Sequence, residues 1–254
     1  MELFIFIFEI IGTAAFAVSG AMTGVAKKMD IFGVCILGLT TATGGGMIRD
    51  VVLGVTPPAA FRDPVYAVIS IAVSVVVFFV FRRHKSENKF SDQTVLRLSR
   101  HRVVNFESRT SRLSKPPQNC TYGMEGVDMT MHEGKGKKAF DLILLVTDSA
   151  GLGIFTVCGV RTAIECGYIS NHFLVLFVAV VTGVGGGVLR DIFAGDRPYI
   201  FVKHIYACAS LVGALAAMLV WMPVGQSAAM LIGFIVVTAI RLLAARFRWS
   251  LPKA

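Results

Sequence analysis

Seven apolar segments constrain this chain to cross a membrane repeatedly. They occupy residues 3–25, 32–53, 65–81, 140–164, 173–192, 205–222 and 228–243. A helix needs roughly 17–25 residues to span a bilayer, and each segment is close to that length. Only 16% of the residues are charged, whereas a soluble domain carries about a quarter. Strands of a membrane β-barrel would be shorter and would alternate in polarity. The sequence therefore predicts an all-α polytopic membrane protein with seven transmembrane helices.

Basic residues follow alternate segments. Those after the first, third, fifth and seventh segments are Lys27 and Lys28, the stretch 83–137, Arg197 and Lys203, and finally Arg246, Arg248 and Lys253. Cytoplasmic connections carry an excess of lysine and arginine, and with seven spans these four sites all fall on one side. We therefore predict that the N-terminus lies outside and the C-terminus lies in the cytoplasm.

The net charge of +9 is concentrated in one stretch. Between Arg82 and Lys138 there are 13 Lys/Arg against 6 Asp/Glu, a net of +7, so the charge indicates topology and we expect no nucleic-acid partner. Residues 83–137 lack a sustained apolar period and are predicted to form a disordered cytoplasmic loop. So many cations near a membrane favour contact with anionic lipid headgroups.

Deleting Ser86 to Gly134 is expected to leave the membrane protein intact, because the segment contains no span. The measurement is membrane insertion of the shortened chain, followed by size-exclusion chromatography in detergent. A shortened chain that no longer inserts would contradict the linker interpretation.

Two parts of the chain repeat each other. "EIIGTAAFAVSGAMTG" (9–24) aligns with "DSAGLGIFTVCGVRTA" (148–163), and "GGGMIRDVVLGVTP" (44–57) aligns with "GGGVLRDIFAGDRP" (185–198). A unit of three spans ends on the opposite side from where it began, so the second unit enters inverted. We predict three-helix repeats in 1–82 and 138–222, followed by a seventh helix and basic tail in 223–254. Inverted repeats are typical of transport proteins, with the solute path at the repeat interface.

The repeated glycine triplets are the first candidates for the pathway. Three glycines favour a kink or local unwinding of a helix, and the freed backbone groups must then face protein or a water-filled path. Exposed carbonyls suit cations, and amides at a restarted helix suit anions. Close helix packing is the alternative. The doubled phrase favours a pathway element at Gly44, Gly45 and Gly46 and at Gly185, Gly186 and Gly187.

Charged residues accompany the triplets. Arg49 and Asp50 follow the first, and Arg190 and Asp191 follow the second. Each couple could pair and anchor its helix, or it could line the pathway. The arginines would oppose a bare cation unless the aspartates neutralise them, so these residues alone do not predict cation selectivity.

Glu9 and Asp148 are matched acids, each preceding the first glycine of its unit by three residues. An acid inside a membrane segment is a functional hypothesis by default. Ion or proton handling and helix capping or pairing both remain open for the two residues. No nucleophile–base arrangement, metal cluster or nucleotide motif is apparent. We therefore expect no enzyme activity, catalytic residue, cofactor or metal site.

These features together resemble the bacterial branch of the trimeric intracellular cation (TRIC-type) channel family. Members of this branch are also labelled glycine transporters or uncharacterised inner-membrane proteins. The resemblance covers about residues 1–82 and 138–247, and the doubled GGGxxRD is its specific part. It implies a homotrimer with a pore in each protomer, bounded by second and fifth helices kinked at the glycine triplets. The loop 83–137 is longer than the short connection of the family.

The expected function is a channel for monovalent cations, with potassium as the ion, in a bacterial inner membrane. A secondary transporter of a small solute such as glycine is the alternative, with unwound segments binding its carboxylate and amine. A membrane scaffold whose glycines serve packing only is a third interpretation. The expected partners are membrane lipids, further copies of the chain, and the transported cation or solute.

Overall fold

The computed structural model describes residues 2–82, 135–198, 200 and 205–247. Most of the predicted loop 83–137 therefore lies outside the described residues. Seven long helices are present: α1 Glu2–Ala26, α2 Ile31–Val52, α3 Val65–Arg82, α4 Lys135–Glu165, α5 His172–Phe193, α6 Tyr206–Val224 and α7 Gln226–Phe247. In this part of the chain all seven are long and apolar enough to cross a membrane. The predicted all-α architecture with seven membrane helices is confirmed, although α4 begins at Lys135 rather than at Phe140.

The second helix of each repeat begins and ends in the same way. Asp30 caps α2 by accepting a hydrogen bond from the Gly33 amide at 2.7 Å, and Asn171 caps α5 by accepting one from Leu174 at 3.1 Å. Such side chains satisfy amides that have no partner within the helix. After each helix a glycine adopts a positive φ of 72°, a backbone conformation that residues with a Cβ rarely adopt. Local geometry therefore repeats along with the sequence, while the inversion across the membrane stays a prediction.

Four helices form the centre of the protein. The pairs α1–α2, α2–α5, α4–α5 and α1–α4 are in contact, and α7 packs on α4 and α6. Of the seven spans, α3 is buried least. Large apolar side chains point outward, including Leu3, Phe32 and Phe173, which are 69%, 71% and 79% exposed. A lipid bilayer accommodates such a surface, whereas water does not.

Two contacts show which connections lie at the same end of the bundle. Lys27 Nζ lies 2.5 Å from Asp196 Oδ1, which joins the α1–α2 connection to the segment after α5. Gln226 Nε2 donates to Glu165 Oε1 at 3.4 Å, which joins the end of α4 to the start of α7. The first and fifth connections therefore share one end of the bundle, and the fourth and sixth also share an end, which agrees with the alternation of basic residues along the chain. Which end faces the cytoplasm stays a prediction.

Candidate solute pathway

Both glycine triplets lie inside uninterrupted helices. The α-helix continues from Ile31 to Val52 and from His172 to Phe193 without a break. The prediction of local unwinding at Gly44–Gly46 and Gly185–Gly187 is therefore wrong. The physical reason is that the backbone groups keep their helical partners while the missing side chains admit a neighbouring helix. A bend that leaves the helix intact stays a prediction.

The glycines bring the backbones of α2 and α5 together. A Cβ on Gly45 would collide with the carbonyl oxygen of Thr182, and a Cβ on Gly186 would collide with the carbonyl oxygen of Thr41. A Cβ on Gly185 would lie 3.2 Å from the Gly45 Cα. Small residues permit such a close crossing of membrane helices. The middle of each triplet thus has a packing role, and it adjoins the polar groups described below.

Two stacked phenylalanines lie beside this crossing. The rings of Phe16 and Phe155 are 5.2 Å apart with an interplanar angle of 11°, and a Cβ on Gly186 would lie 3.1 Å from the Phe16 ring. Both residues are buried. On α1 and α4 alike, one group of polar residues precedes the phenylalanine and a second group follows it. The stack therefore separates two polar regions within the protein.

The first polar region, which we call the Asp148 cluster, consists of Ser19, Asp148, Arg190, Tyr206 and Arg241. Asp148 Oδ1 accepts from Arg190 Nη1 at 2.7 Å and Oδ2 accepts from Arg241 Nη2 at 3.1 Å. Arg190 Nη1 also donates to Ser19 Oγ at 2.5 Å, and the Tyr206 hydroxyl lies 3.4 Å from Asp148 Oδ1. The cluster joins α1, α4, α5, α6 and α7. Every member is at most 5% exposed, so this region is closed.

The second polar region is an open space that we call the Glu9 cavity. It measures about 70 Å³ and its polar lining includes Glu9, Thr13, Thr43, Arg49, Asp50 and Tyr66. Glu9 Oε2 accepts from the Tyr66 hydroxyl at 2.6 Å, and Oε1 lies 3.4 Å from Arg161 Nη1. The two matched acids therefore have similar partners, a tyrosine and an arginine, in opposite parts of the protein.

Both arginine–aspartate couples are paired. Arg49 Nε donates to Asp50 Oδ1 at 2.8 Å, and Arg190 Nε donates to Asp191 Oδ1 at 2.9 Å. Asp50 Oδ2 also accepts from the amide of Ala59 at 2.7 Å, which holds a short helix, Ala59–Arg62, against the end of α2. Pairing within each couple neutralises the charge that each arginine would otherwise present.

The predicted site residues fall into three places. The Glu9 cavity gathers Glu9, Gly46, Arg49 and Asp50. Asp148, Arg190 and Asp191 form one buried ionic network, with Gly187 against Tyr206. Gly45, Gly185 and Gly186 form the crossing of α2 and α5, while Gly44 faces the Leu189 side chain. Within the described part of the chain, no group of three or more His, Cys, Asp or Glu side chains is placed to hold a metal ion.

Sequence reasoning missed the side chains that pair with Glu9, Asp148 and Arg190 in these two regions, which are Ser19, Tyr66, Arg161, Tyr206 and Arg241. A signal existed for the two arginines, because each is an isolated charge within an apolar segment and such charges are expensive unless they are paired. The serine and the tyrosines carry no comparable signal.

The comparison with protein families supports the fold and identifies the family to which the chain belongs. The model of the family described as "Glycine transporter" matches residues 6–82 and 145–222. A UPF0126 membrane protein of Deinococcus radiodurans is 31% identical over 216 residues, covering 84% of this chain and 74% of the relative. A UPF0126 inner membrane protein of Escherichia coli strain K12 is 28% identical over 246 residues, covering 96% of this chain and 93% of the relative.

Solved structures of similar fold include TRIC channels. A TRIC channel crystallised in 0.5 M KCl superposes with a TM-score of 0.73 at 25% identity, covering 99% of this chain and 100% of that one. The TRIC trimeric intracellular cation channel orthologue from Rhodobacter sphaeroides superposes with a TM-score of 0.70 at 26% identity. The match covers 96% of this chain and 98% of that one. A chain from a study of conductance through TRIC cation channels superposes with a TM-score of 0.69 at 28% identity. The match covers 98% of this chain and 96% of that one.

Seven apolar helices in this arrangement define a multi-pass bacterial inner membrane protein with the fold of TRIC channels. The resemblance stated from the sequence is confirmed. The chain belongs to the family described as "Glycine transporter", which includes UPF0126 membrane proteins.

Proposed function

We propose that the protein is a channel for monovalent cations of the bacterial inner membrane, with potassium as the expected ion. The observation that carries this proposal is the similarity of almost the whole chain to solved TRIC channels, one of them crystallised in KCl. The polar interior adds support from the molecule itself. A cavity and an ionic cluster flank the α2–α5 crossing within a single protomer.

The proposed path runs through each protomer between the two repeats, beside Gly44–Gly46 and Gly185–Gly187. Polar side chains on α1, α2, α4 and α5 would line it, and pairing neutralises their charge. A cation therefore need not face an unopposed arginine in either half. Because the Asp148 cluster is closed and the Phe16–Phe155 stack is buried, conduction requires both to move apart.

The orientation and assembly belong to the same proposal. With the N-terminus outside, the Glu9 cavity lies in the outer half of the membrane and the Asp148 cluster in the cytoplasmic half. We infer a homotrimer from the family resemblance, with membrane lipids covering the remaining apolar surface. The exposed apolar side chains on all seven helices support contact with lipid and with neighbouring protomers.

Potassium flux through purified protein in liposomes is expected to be electrogenic. Its rate is expected not to saturate as the potassium concentration is raised. The measurement follows potassium release under a gradient, with a membrane-potential dye and protein-free vesicles as the control. Absence of any ion or solute flux from folded, inserted protein would instead support a membrane scaffold and would overturn the channel.

A secondary carrier of a small solute such as glycine is the second candidate. Two observations favour it: the family description and an interior that is open at the Glu9 cavity but closed at the Asp148 cluster. Carriers use such one-sided states in alternating access. Saturable, gradient-coupled uptake of labelled glycine by the same liposomes, without potassium conductance, would replace the channel proposal with this one.

A further inference from the structure

A buried arginine faces the Glu9 cavity with most of its hydrogen-bond donors unused. Arg49 is 8% exposed and lines the cavity, and its Nε donates to Asp50 at 2.8 Å. Its terminal nitrogens, Nη1 and Nη2, make no hydrogen bond to any residue that the structure describes. Burying a charged group without hydrogen-bond partners costs considerable free energy. The guanidinium therefore requires acceptors beyond those that the described residues supply.

The equivalent arginine of the second repeat shows which acceptors differ. Arg190 Nη1 donates to the carboxylate of Asp148 at 2.7 Å and to the hydroxyl of Ser19 at 2.5 Å. In the aligned repeats Ser19 corresponds to Cys158, and Cys158 lines the same cavity as Arg49. A thiol is only a weak hydrogen-bond acceptor. The position that supplies a hydroxyl to Arg190 therefore supplies a much weaker partner on the side of Arg49.

The carboxylate acceptor differs as well. Glu9 is the matched acid of the first repeat, but its oxygens lie 3.4 Å from Arg161 Nη1 and 2.6 Å from the Tyr66 hydroxyl. A Cβ on Gly46 would meet only Arg49 Nη2, at 3.9 Å, so the volume next to the terminal nitrogens is open. The described residues therefore leave room for an acceptor that is not part of the protein.

The hydrogen-bonding groups of the cavity favour an anion at this place. Both oxygens of Glu9 face protein donors, and both oxygens of Asp50 accept hydrogen bonds. The terminal nitrogens of Arg49 are donors only, and the hydroxyl of Thr13, which lines the same cavity, can also donate. Unused donors next to a positive charge attract an anion and repel a cation.

The size and charge of the cavity limit which anion it can hold. A water molecule needs roughly 10–15 Å³ of cavity volume, and the cavity measures about 70 Å³. It therefore accommodates one small ion together with a few water molecules. A divalent anion would bring twice the negative charge into a space that two carboxylates already line, so a monovalent anion is favoured.

We propose that the Glu9 cavity contains a binding site for a small monovalent inorganic anion such as chloride. The anion accepts hydrogen bonds from Arg49 Nη1 and Nη2, with the hydroxyl of Thr13 as a further donor. The site itself does not depend on what crosses the membrane, since a channel, a carrier and a scaffold could each contain it. In the proposed cation channel the bound anion offsets the charge of Arg49 beside the path, and only this consequence rests on the proposed function.

The test measures chloride binding to the full-length protein in detergent by the linewidth of the chloride NMR signal, which broadens when ions exchange with a site on the protein. Wild-type protein in potassium gluconate is expected to broaden the signal saturably, and bromide is expected to reverse the broadening. Arg49→Gln removes the charged donors, so chloride affinity should fall roughly ten- to a hundredfold. Arg62→Gln is the matched control and should bind like wild type, because Arg62 is an exposed arginine that donates to the Pro57 carbonyl.

Gly46→Asp tests the same site without removing the arginine. The Cβ of the new side chain would lie 3.9 Å from Arg49 Nη2, so its carboxylate can occupy the place of the anion. Chloride affinity is expected to fall as it does in Arg49→Gln, whereas Gly46→Ala adds no acceptor and should weaken binding less. Either the arginine or the aspartate variant tests the site if the other does not fold.

Three results would overturn the site. One is the absence of saturable broadening with folded wild-type protein, which would mean that only water meets the donors of Arg49. Another is an unchanged chloride affinity in a folded Arg49→Gln or Gly46→Asp protein, and the third is an equal loss of affinity in Arg62→Gln. Potassium flux is measured on the same preparations. A protein that conducts without binding chloride refutes this site and leaves the channel intact, whereas one that binds chloride without conducting refutes the channel and leaves the site.

Discussion

Replacing Asp148 with asparagine is expected to destabilise the protein by about 3–5 kcal/mol, the range found when one partner is removed from a buried ion pair. The carboxylate accepts from both Arg190 and Arg241, and the side chain is only 2% exposed. In the variant a neutral amide faces two buried guanidinium groups. Its nitrogen has no lone pair to offer, and water cannot reach the uncompensated charge.

Thermal unfolding in detergent, followed by circular dichroism, measures the effect. The unfolding midpoint should fall by something on the order of 10 °C. Glu9→Gln is the matched control from the first repeat, where the acid is 22% exposed at its side chain and its arginine is 3.4 Å away. The glutamine oxygen can still accept from Tyr66, so the loss should be at most about 1 kcal/mol. Equal midpoints for the two variants would contradict the structural role of the Asp148 cluster.

Replacing Gly45 with alanine is expected to destabilise the protein by about 1–3 kcal/mol or more, because overpacking displaces well-packed groups. The added Cβ would collide with the Thr182 carbonyl oxygen, and it would lie 3.2 Å from the Gly186 amide nitrogen. Both are backbone atoms, so no side chain can rotate away. The helices α2 and α5 would have to separate at their crossing.

Gly46→Ala is the matched control, because it makes the same change one residue later. Its Cβ would meet only the end of the Arg49 side chain, at 3.9 Å, and alanine favours a helix over glycine by about 1 kcal/mol. The control should therefore unfold at or above the wild-type temperature, whereas Gly45→Ala should unfold below it. A stable Gly45→Ala protein with unchanged unfolding would show that the crossing is looser than its backbone contacts indicate.

The predictions that rested on hydropathy were confirmed, whereas the orientation inferred from charge stays a prediction. The seven helices lie within a few residues of the predicted segments, except at the start of α4. Length and apolarity decide whether a segment crosses a membrane, and both are properties of the segment alone. The sequence repeat was equally visible, because matched glycines and charges at one spacing need no knowledge of their neighbours.

The glycine triplets mark where local reasoning stopped. Three consecutive glycines are compatible with unwinding and with close packing, and no property of the phrase itself distinguishes the two. The distinction depends on the carbonyls of Thr41 and Thr182, which lie on the facing helix in each case. Arg161 and Arg241 pose the same difficulty, because an isolated charge indicates that a partner exists without indicating which acid it is.

The sequence by itself determined the class of protein, the number of helices and their repetition, since these follow from the composition and order of residues along the chain. Only the tertiary structure decided how the two copies of one phrase differ. Tyr206 and Asp148 fill the space around Arg190, whereas the corresponding space around Arg49 is a cavity. The physical reason is that side chains from other helices supply the packing and the counter-charges. Nearly identical local sequences can therefore form a closed cluster in one half and an open cavity in the other.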